Sequence, residues 1–183
     1  ILLLIFCLSL MCGCSSSEKP LDVAHKLRSN ILQSNGCSFN SHIMADYGDE
    51  VFEFDLQCSF DQNGALTFNV LSPDTVSGIT GEINAQEGLL TFDNQMLAFN
   101  KLTDGQITPI TAPWVLMKAV RGGYISACGK DKDGYYLQFD DSYEEDQLTV
   151  DVLVDHNEII TYCEFLWDGR RILSIKVTDF VLM

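Results

Sequence analysis

The sequence predicts a mainly β (α+β) fold: a single curved antiparallel sheet, an unclosed half-barrel of about 10 to 11 strands, wrapped around an N-terminal helix and a short mid-chain helix. Three observations predict it. Segments in which apolar and polar residues alternate recur along most of the chain, which is typical of half-buried strands. Turn signals such as Asn-Gly and Asp-Gly separate these segments. Two other segments have the apolar spacing or composition of helices.

Composition and charge limit the classes of function. The chain has 183 residues, of which 46% are hydrophobic. It contains 26 acidic and 11 basic side chains, which gives a formal net charge of −15. This length fits one ordinary domain. Binding to nucleic acid requires clustered Lys and Arg, so we expect no nucleic-acid partner. The same charge argues against adhesion to an anionic bilayer through surface charge.

The N-terminus predicts export and a lipid anchor. The apolar run at residues 1–13 has the length of a signal-peptide core and is too short to span a membrane. We expect an initiator methionine and a basic segment before Ile1. Gly13-Cys14 resembles the end of a bacterial lipobox, although Met11 stands where that motif usually has Leu. Acylation of Cys14 would anchor the protein, with residues 14–19 as a serine-rich tether. The alternative is an ordinary secretory signal that contains cysteines.

Residues 20–183 are predicted to form a single domain that begins with a helix. Pro20 suits a first helical turn, and the segment Pro20–Gln33 carries apolar residues at helical spacing. The residues on that apolar face are Val23, Ala24, Leu27 and Ile31. Asn35-Gly36 ends the helix.

Two long strands follow, and their register suggests a disulfide. Cys37–Asp46 and Val51–Phe60 both alternate apolar and polar residues. If Tyr47-Gly48 is a two-residue turn, the register that joins the apolar faces also places Cys37 opposite Cys58. Export favours oxidation, so we predict a Cys37–Cys58 bridge. The alternative is a pair of buried free thiols, and a Cys128–Cys163 bridge has weaker support because a simple meander does not place those two opposite each other.

A second helix interrupts the later strands. Thr111–Arg121 is apolar around most of its circumference, and Pro113 can occupy its first turn. The Asp61–Gly64 segment and Asp168-Gly169 are hairpin signals. The remaining predicted strands lie near Leu66–Val70, Gly78–Ile83, Leu89–Phe92, Met96–Phe99, Tyr124–Gly129, Tyr135–Phe139, Leu148–Val154, Ile159–Trp167 and Ile172–Val177.

This order of elements resembles the lipoprotein-localisation-factor-like (LolA-like) superfamily of bacterial envelope proteins. The resemblance covers the chain from Pro20 onward and is carried by Leu71–Ile83, Leu89–Phe99, the Pro-containing helix and the closing segment Trp167–Phe180. It implies an unclosed barrel with a hydrophobic-ligand site between the Thr111–Arg121 helix and the concave sheet face. The carriers in this superfamily also hold their lid helices through an arginine inside the barrel. Here we expect all four candidates, Arg28, Arg121, Arg170 and Arg171, at the surface or at helix ends.

The aromatic residues indicate a candidate ligand site. Residues predicted to line a cavity for acyl chains are Phe52, Phe54, Phe68, Trp114 and Met117. The alternative is a filled core, because a curved sheet packed on a helix requires large apolar side chains.

No pattern predicts catalysis, a metal site or a cofactor. The sequence contains no P-loop, Rossmann or G-x-S-x-G motif, and its histidines share no metal-ligand spacing. Lys130–Gly134 contains Asp-x-Asp-Gly but lacks the other ligands of a calcium loop, which favours a hairpin turn. Five of the seven residues in the run Asp140–Asp146 are acidic, which is typical of a solvated loop.

The sequence therefore predicts an extracytoplasmic lipoprotein, anchored to the cell membrane through acylated Cys14, that binds or transfers a lipid or another hydrophobic small molecule without catalysis. The alternative is a non-catalytic scaffold that binds an envelope protein partner through its acidic face or a sheet edge. An envelope hydrolase is a weaker third class, because no nucleophile–base pair is apparent.

Overall fold

The computed structural model describes residues 19–46, 48, 50–92, 95–99, 102–103, 106–140 and 148–183. Two helices lie in this part of the chain, α1 (Pro20–Gln33) and α2 (Ala112–Gly122). The strands before α2 are β1 (Gly36–Asp46), β2 (Val51–Asp61), β3 (Leu66–Ser72), β4 (Thr80–Ile83), β5 (Gly88–Phe92), β6 (Gln95–Phe99), β7 (Leu102–Thr103) and β8 (Gln106–Ile107). Those after it are β9 (Tyr124–Asp131), β10 (Gly134–Asp140), β11 (Leu148–Asp155), β12 (Ile160–Trp167) and β13 (Arg170–Leu182).

Eleven of the strands in the described residues form one antiparallel sheet. Their order is β6-β5-β4-β3-β2-β1-β13-β12-β11-β10-β9, and β7 pairs only with β8. Every neighbour in the sheet is a neighbour in sequence except β1 and β13, so the chain runs outward from the centre, crosses over through α2 and returns. Strands β6 and β9 are the two edges. The predicted unclosed half-barrel is confirmed.

Both helices pack against one face of this sheet. Helix α1 contacts β1, β9, β10 and α2, and α2 contacts β2, β10 and β13. The four residues predicted for the apolar face of α1, namely Val23, Ala24, Leu27 and Ile31, are its buried residues. Helix α2 buries seven of its 11 residues, in agreement with its nearly all-apolar sequence. The core therefore lies between the helices and the inner face of the sheet.

The β1–β2 register differs from the prediction by two residues. Asp46 pairs with Val51, so four residues separate the paired ends of β1 and β2, where the prediction has two. Cys37 consequently lies opposite Phe60, and Cys58 lies opposite Phe39. A shift of two residues leaves the same side chains on the inner face, because successive side chains alternate between faces. The apolar pattern alone therefore did not distinguish the two registers.

The hairpin signals in the C-terminal half are confirmed. Trp167 pairs with Arg170, so Asp168-Gly169 is a two-residue turn, and both turn residues have positive φ (49° and 69°). Asp131 pairs with Gly134, which makes the Asp-x-Asp-Gly segment a hairpin turn as predicted. The short strands β7 and β8 were not predicted, because two-residue strands contain no alternation to detect.

Close packing on the inner face depends on a glycine in β4. A Cβ atom built on Gly81 would lie 2.4 Å from the Phe68 ring, which is closer than any real contact. Phe68 pairs with Gly81 across β3 and β4, and its ring fills the space that a side chain would occupy. A residue larger than glycine would therefore displace Phe68 from the core.

Candidate functional site

A crevice of about 240 Å³ lies between α2 and the turn that joins β2 to β3. Trp114, Lys118 and Arg121 line it from α2, where their spacing of four and three residues places them on one face of the helix. The indole Nε1 of Trp114 donates to the carbonyl of Gly64 at 3.0 Å. Arg121 Nη2 donates to the carbonyl of Gln62 at 2.8 Å. These two hydrogen bonds hold the hairpin turn against the helix.

The crevice combines aromatic surface with positive charge. The Nζ atom of Lys118 lies 5.9 Å from the ring centroid of Trp114. The Arg121 guanidinium carbon lies 5.3 Å from the ring centroid of Phe60, so both cations lie at cation–π distance from an aromatic ring. In the described part of the chain, no carboxylate lines this crevice. Two of only 11 basic residues in a chain of net charge −15 therefore meet at one apolar opening.

The five residues predicted to line one cavity lie in three different environments. Phe68 and Met117 are buried at 3% and 0% exposure and belong to the packed core. Trp114 is partly buried and lines the crevice. Phe54 is partly buried and Phe52 is 42% exposed. Both lie near the first residue of β2, where the strand leaves the β1–β2 connection. Of the five, only Trp114 lines this crevice, and Met117 and Phe68 belong to the packed core. A ligand cavity lined by all five stays a prediction.

Arg28 is more buried than the sequence predicted. It is half-buried on α1, where Nε donates to the carbonyl of Val120 at 2.8 Å and Nη2 donates to that of Gly123 at 2.6 Å. Its guanidinium carbon also lies 5.7 Å from the ring centroid of Phe139. Burial lowers the pKa of Arg28, but the guanidinium stays protonated at neutral pH. Its position four residues after buried Ala24 was the signal for an inward orientation.

Arg28 connects the two helices. The last carbonyls of a helix have no partner within it and carry partial negative charge. Arg28 satisfies two such carbonyls at the C-terminal end of α2 from a position on α1. A depression of about 400 Å³ lies beside this contact and is lined by Leu21, His25 and Tyr124 among others. The end of α2 is therefore held by charge as well as by apolar packing.

The cysteines of the domain are buried or half-buried thiols. Cys37, Cys58 and Cys163 are buried, Cys128 is half-buried, and all four are free. Burial raises the pKa of Cys37 and of Cys58 to about 12, and it raises the pKa of Cys163 well above its ordinary value. A protonated, buried thiol is a poor nucleophile. The observed register gives the predicted Cys37–Cys58 bridge no support, because directly opposite positions are occupied by phenylalanine.

The polar groups capable of chemistry are dispersed. His42 Nδ1 lies 2.8 Å from Asp55 Oδ1 across β1 and β2, on the face of the sheet away from the helices. Among the described residues, no three His, Cys, Asp or Glu side chains are close enough to hold a metal ion. Cys14 and residues 141–146 of the acidic run lie outside the described residues. Within those that are described, no helix is long and apolar enough to cross a membrane.

Comparison with known proteins gives structural matches only. No family model and no curated protein matches the chain. It is similar to an uncharacterised conserved protein from Thermus thermophilus at 11% identity, with 87% of each chain covered and a TM-score of 0.48. It is also similar to a LolA superfamily protein from Nitrosomonas europaea at 12% identity, with 91% of this chain and 94% of that chain covered and a TM-score of 0.47.

A third similar structure is a putative outer membrane lipoprotein-sorting protein domain from Vibrio parahaemolyticus. The identity is 7%, the alignment covers 92% of this chain and 94% of that chain, and the TM-score is 0.47. Similarity at this level is a likeness of fold and carries no functional assignment.

Proposed function

We propose that this protein is a non-catalytic, extracytoplasmic lipoprotein that binds an anionic lipid, such as a fatty acid, at the crevice beside α2. The observation that carries the proposal is the pairing of aromatic surface with two cations at one opening, in a chain that is otherwise strongly acidic. Lys118 and Arg121 would pair with the carboxylate or phosphate of the ligand. Trp114 and Phe60 would cover the first methylene groups of its chain.

The size of the crevice sets how an acyl chain would enter. At about 240 Å³ the crevice is smaller than the roughly 300–1,000 Å³ of most small-molecule sites. The inner side of α2 is already packed against the core, where Met117 is fully buried. We therefore expect the head group to bind first, and the rest of the chain to enter only when α2 moves away from the sheet. Release of the ligand to another carrier or membrane would reverse these steps.

Quenching of Trp114 fluorescence tests this proposal. Substitution Trp167→Phe leaves Trp114 as the remaining tryptophan of the two in the chain. The full chain, in nanodiscs of phosphatidylcholine, is titrated with a brominated fatty acid and with its uncharged methyl ester. We expect saturable quenching by the acid and at least tenfold weaker binding of the ester, because the ester offers no charge to Lys118 and Arg121.

Two lysine substitutions provide the matched comparison. Lys118→Gln removes a cation of the crevice and should weaken binding of the acid by about tenfold, the effect of losing one charge-assisted contact of about 1.4 kcal/mol. Lys132→Gln removes an exposed cation from the β9–β10 turn and should leave binding unchanged. Equal quenching in all three proteins, or equal binding of acid and ester, would contradict the proposal.

We further propose that acylation of Cys14 anchors the protein to the cell membrane. The sequence around Gly13-Cys14 supports this, as does the serine-rich segment that follows. Labelling with an alkyne fatty acid in the host should modify the protein, and Cys14→Ala should abolish the label while Cys12→Ala leaves it unchanged. Retention of the label in Cys14→Ala would assign the acylation to another residue.

The second candidate function is that of an envelope scaffold. Strand β6 is an edge of the sheet, and its side chains Met96 and Leu97 are 67% and 63% exposed. An edge strand with exposed apolar side chains can pair with an extended segment of another protein. A photo-crosslinker at residue 97 would capture such a partner in the host envelope. Capture that is lost in Met96→Lys and kept in Lys118→Gln would support the scaffold rather than the lipid-binding function.

A further inference from the structure

A depression of about 620 Å³ lies on the face of the sheet turned away from the helices. Its lining residues come from strands β1 to β6 and alternate along the chain with buried ones. Gln57 and Ser59, for example, line the depression on either side of buried Cys58, and Thr67 and Asn69 do so on either side of Phe68. The volume is within the range of sites for small molecules. The depression is separate from the crevice at α2.

Seven of the 13 described residues that line it carry neutral hydrogen-bonding side chains, set among apolar surface. Gln57 pairs with Asn69 across β2 and β3, and Asn69 in turn pairs with Thr80 of β4. Within the part of the chain that the structure describes, the side-chain amides of Gln57 and Asn69 have no hydrogen-bonding partner. Each amide offers two donors and an acceptor. These groups lie in one row across adjacent strands, whose spacing is about 4.8 Å.

The charge of the lining excludes several classes of ligand. Glu82 is the one charged side chain among the described residues of the lining. With no Lys or Arg among the lining residues that the structure describes, a phosphate or another anion would find no counter-charge there. One carboxylate is too few for a calcium or magnesium site, which requires several oxygen ligands. An acyl chain would desolvate the hydroxyl and amide groups without replacing their hydrogen bonds.

A neutral saccharide satisfies the remaining requirements. Its hydroxyl groups both donate and accept, as do the hydroxyl and amide side chains of the floor, and Glu82 can accept from two neighbouring hydroxyls. Leu89 and Met96 form an apolar wall on one side, which suits the C–H face of a sugar ring. An extended peptide fits less well, because peptides that bind sheets do so mainly through an unpaired edge, whereas β1 to β5 are paired on both sides. We propose that this depression is a binding site for a neutral saccharide.

Calorimetric titration of the full chain in phosphatidylcholine nanodiscs tests the site. The probes are chitotriose and maltotriose, two neutral saccharides with and without acetamido groups, and no sugar-based detergent is used. We expect saturable binding of at least one of them. The double substitution Gln57→Ala and Asn69→Ala should weaken that binding by tenfold or more, because it removes both free amides. Gln86→Ala, in the exposed β4–β5 turn, should leave it unchanged.

The other outcomes overturn the proposal. Failure of both saccharides to bind would do so, as would equal affinity of the double variant and the unmodified chain. A capped neutral peptide that binds the depression when both saccharides do not would reassign the site to a peptide. The double variant should unfold at the same urea concentration as the unmodified chain, which shows that its fold is intact whether or not the α2 crevice binds a fatty acid. Lys118→Gln should bind saccharide normally, so the two proposals fail independently.

Discussion

Arg28 performs a structural task that hydrophobic packing alone does not. Helix α2 is apolar on most sides, so it is held by non-directional contacts over most of its surface. Arg28 adds two directed hydrogen bonds at the C-terminal end of this helix, to Val120 and Gly123. If the acyl chain of a ligand enters by displacing α2, these bonds keep one end of the helix in place while the end near Trp114 moves.

Replacement of this arginine tests that role. Arg28→Met keeps much of the side-chain volume but leaves the carbonyls of Val120 and Gly123 without their donor. We expect the free energy of unfolding to fall by about 1–3 kcal/mol, the cost of leaving such groups unsatisfied. Urea denaturation measures the change, and Arg170→Met at the exposed start of β13 should stay within about 0.5 kcal/mol of the unmodified chain. An equally small effect of Arg28→Met would show that the two hydrogen bonds are dispensable.

At the scale of the element, local turn chemistry was the most informative part of the sequence. Asp168-Gly169 was recognisable because a two-residue hairpin turn with positive φ at both positions favours this pair. The connection at residues 47–50 was mispredicted because the alternation in β1 and β2 is compatible with registers that differ by two residues. Local sequence therefore predicted which segments form strands. It did not predict register where the connection lacks a strong turn pair.

Gly169 provides a direct test of turn strain. Its φ is 69°, and no atom lies within 4 Å of the position that a Cβ would take, so Gly169→Ala changes backbone strain without a steric clash. We expect a loss of about 1 kcal/mol in the free energy of unfolding. The matched control is Gly122→Ala at the end of α2, where the Cβ also meets nothing and helical backbone favours alanine. A loss of stability in the control that equals the loss in Gly169→Ala would contradict turn strain as the cause.

At the scale of the whole molecule, the sequence predicted the layers but not the position of the sites. The aromatic residues of a β protein with this composition belong to the core by default, and Phe68 follows that rule. Trp114 lines the crevice only because the β2–β3 turn folds back onto α2, which is a contact between segments 50 residues apart. The depression on the outer face of the sheet combines side chains from six strands, and their arrangement depends on register and sheet curvature. Neither property can be read from alternation alone.

The buried thiols predict how stability depends on pH. An unfolded cysteine loses its proton near its ordinary pKa of about 9, whereas burial raises the pKa of Cys58 to about 12 in the folded protein. Between these values the unfolded state binds fewer protons than the folded state, so the free energy of unfolding falls as pH rises. This contribution is fully present below pH 9. Above pH 9 the free energy of unfolding falls by at most about 1.4 kcal/mol per pH unit for each such thiol.

Substitution Cys58→Ala should therefore make the loss of stability above pH 9 less steep, although it lowers stability at neutral pH by creating a small cavity. The control is Val70→Ala, which removes buried apolar volume on the same inner face but no titrating group. Its pH dependence should match that of the unmodified chain. Urea denaturation of the reduced protein at pH values on either side of 9 measures both slopes. If Cys58→Ala and the unmodified chain lose stability at the same rate, the thiol at position 58 titrates in the folded protein as it does in the unfolded one.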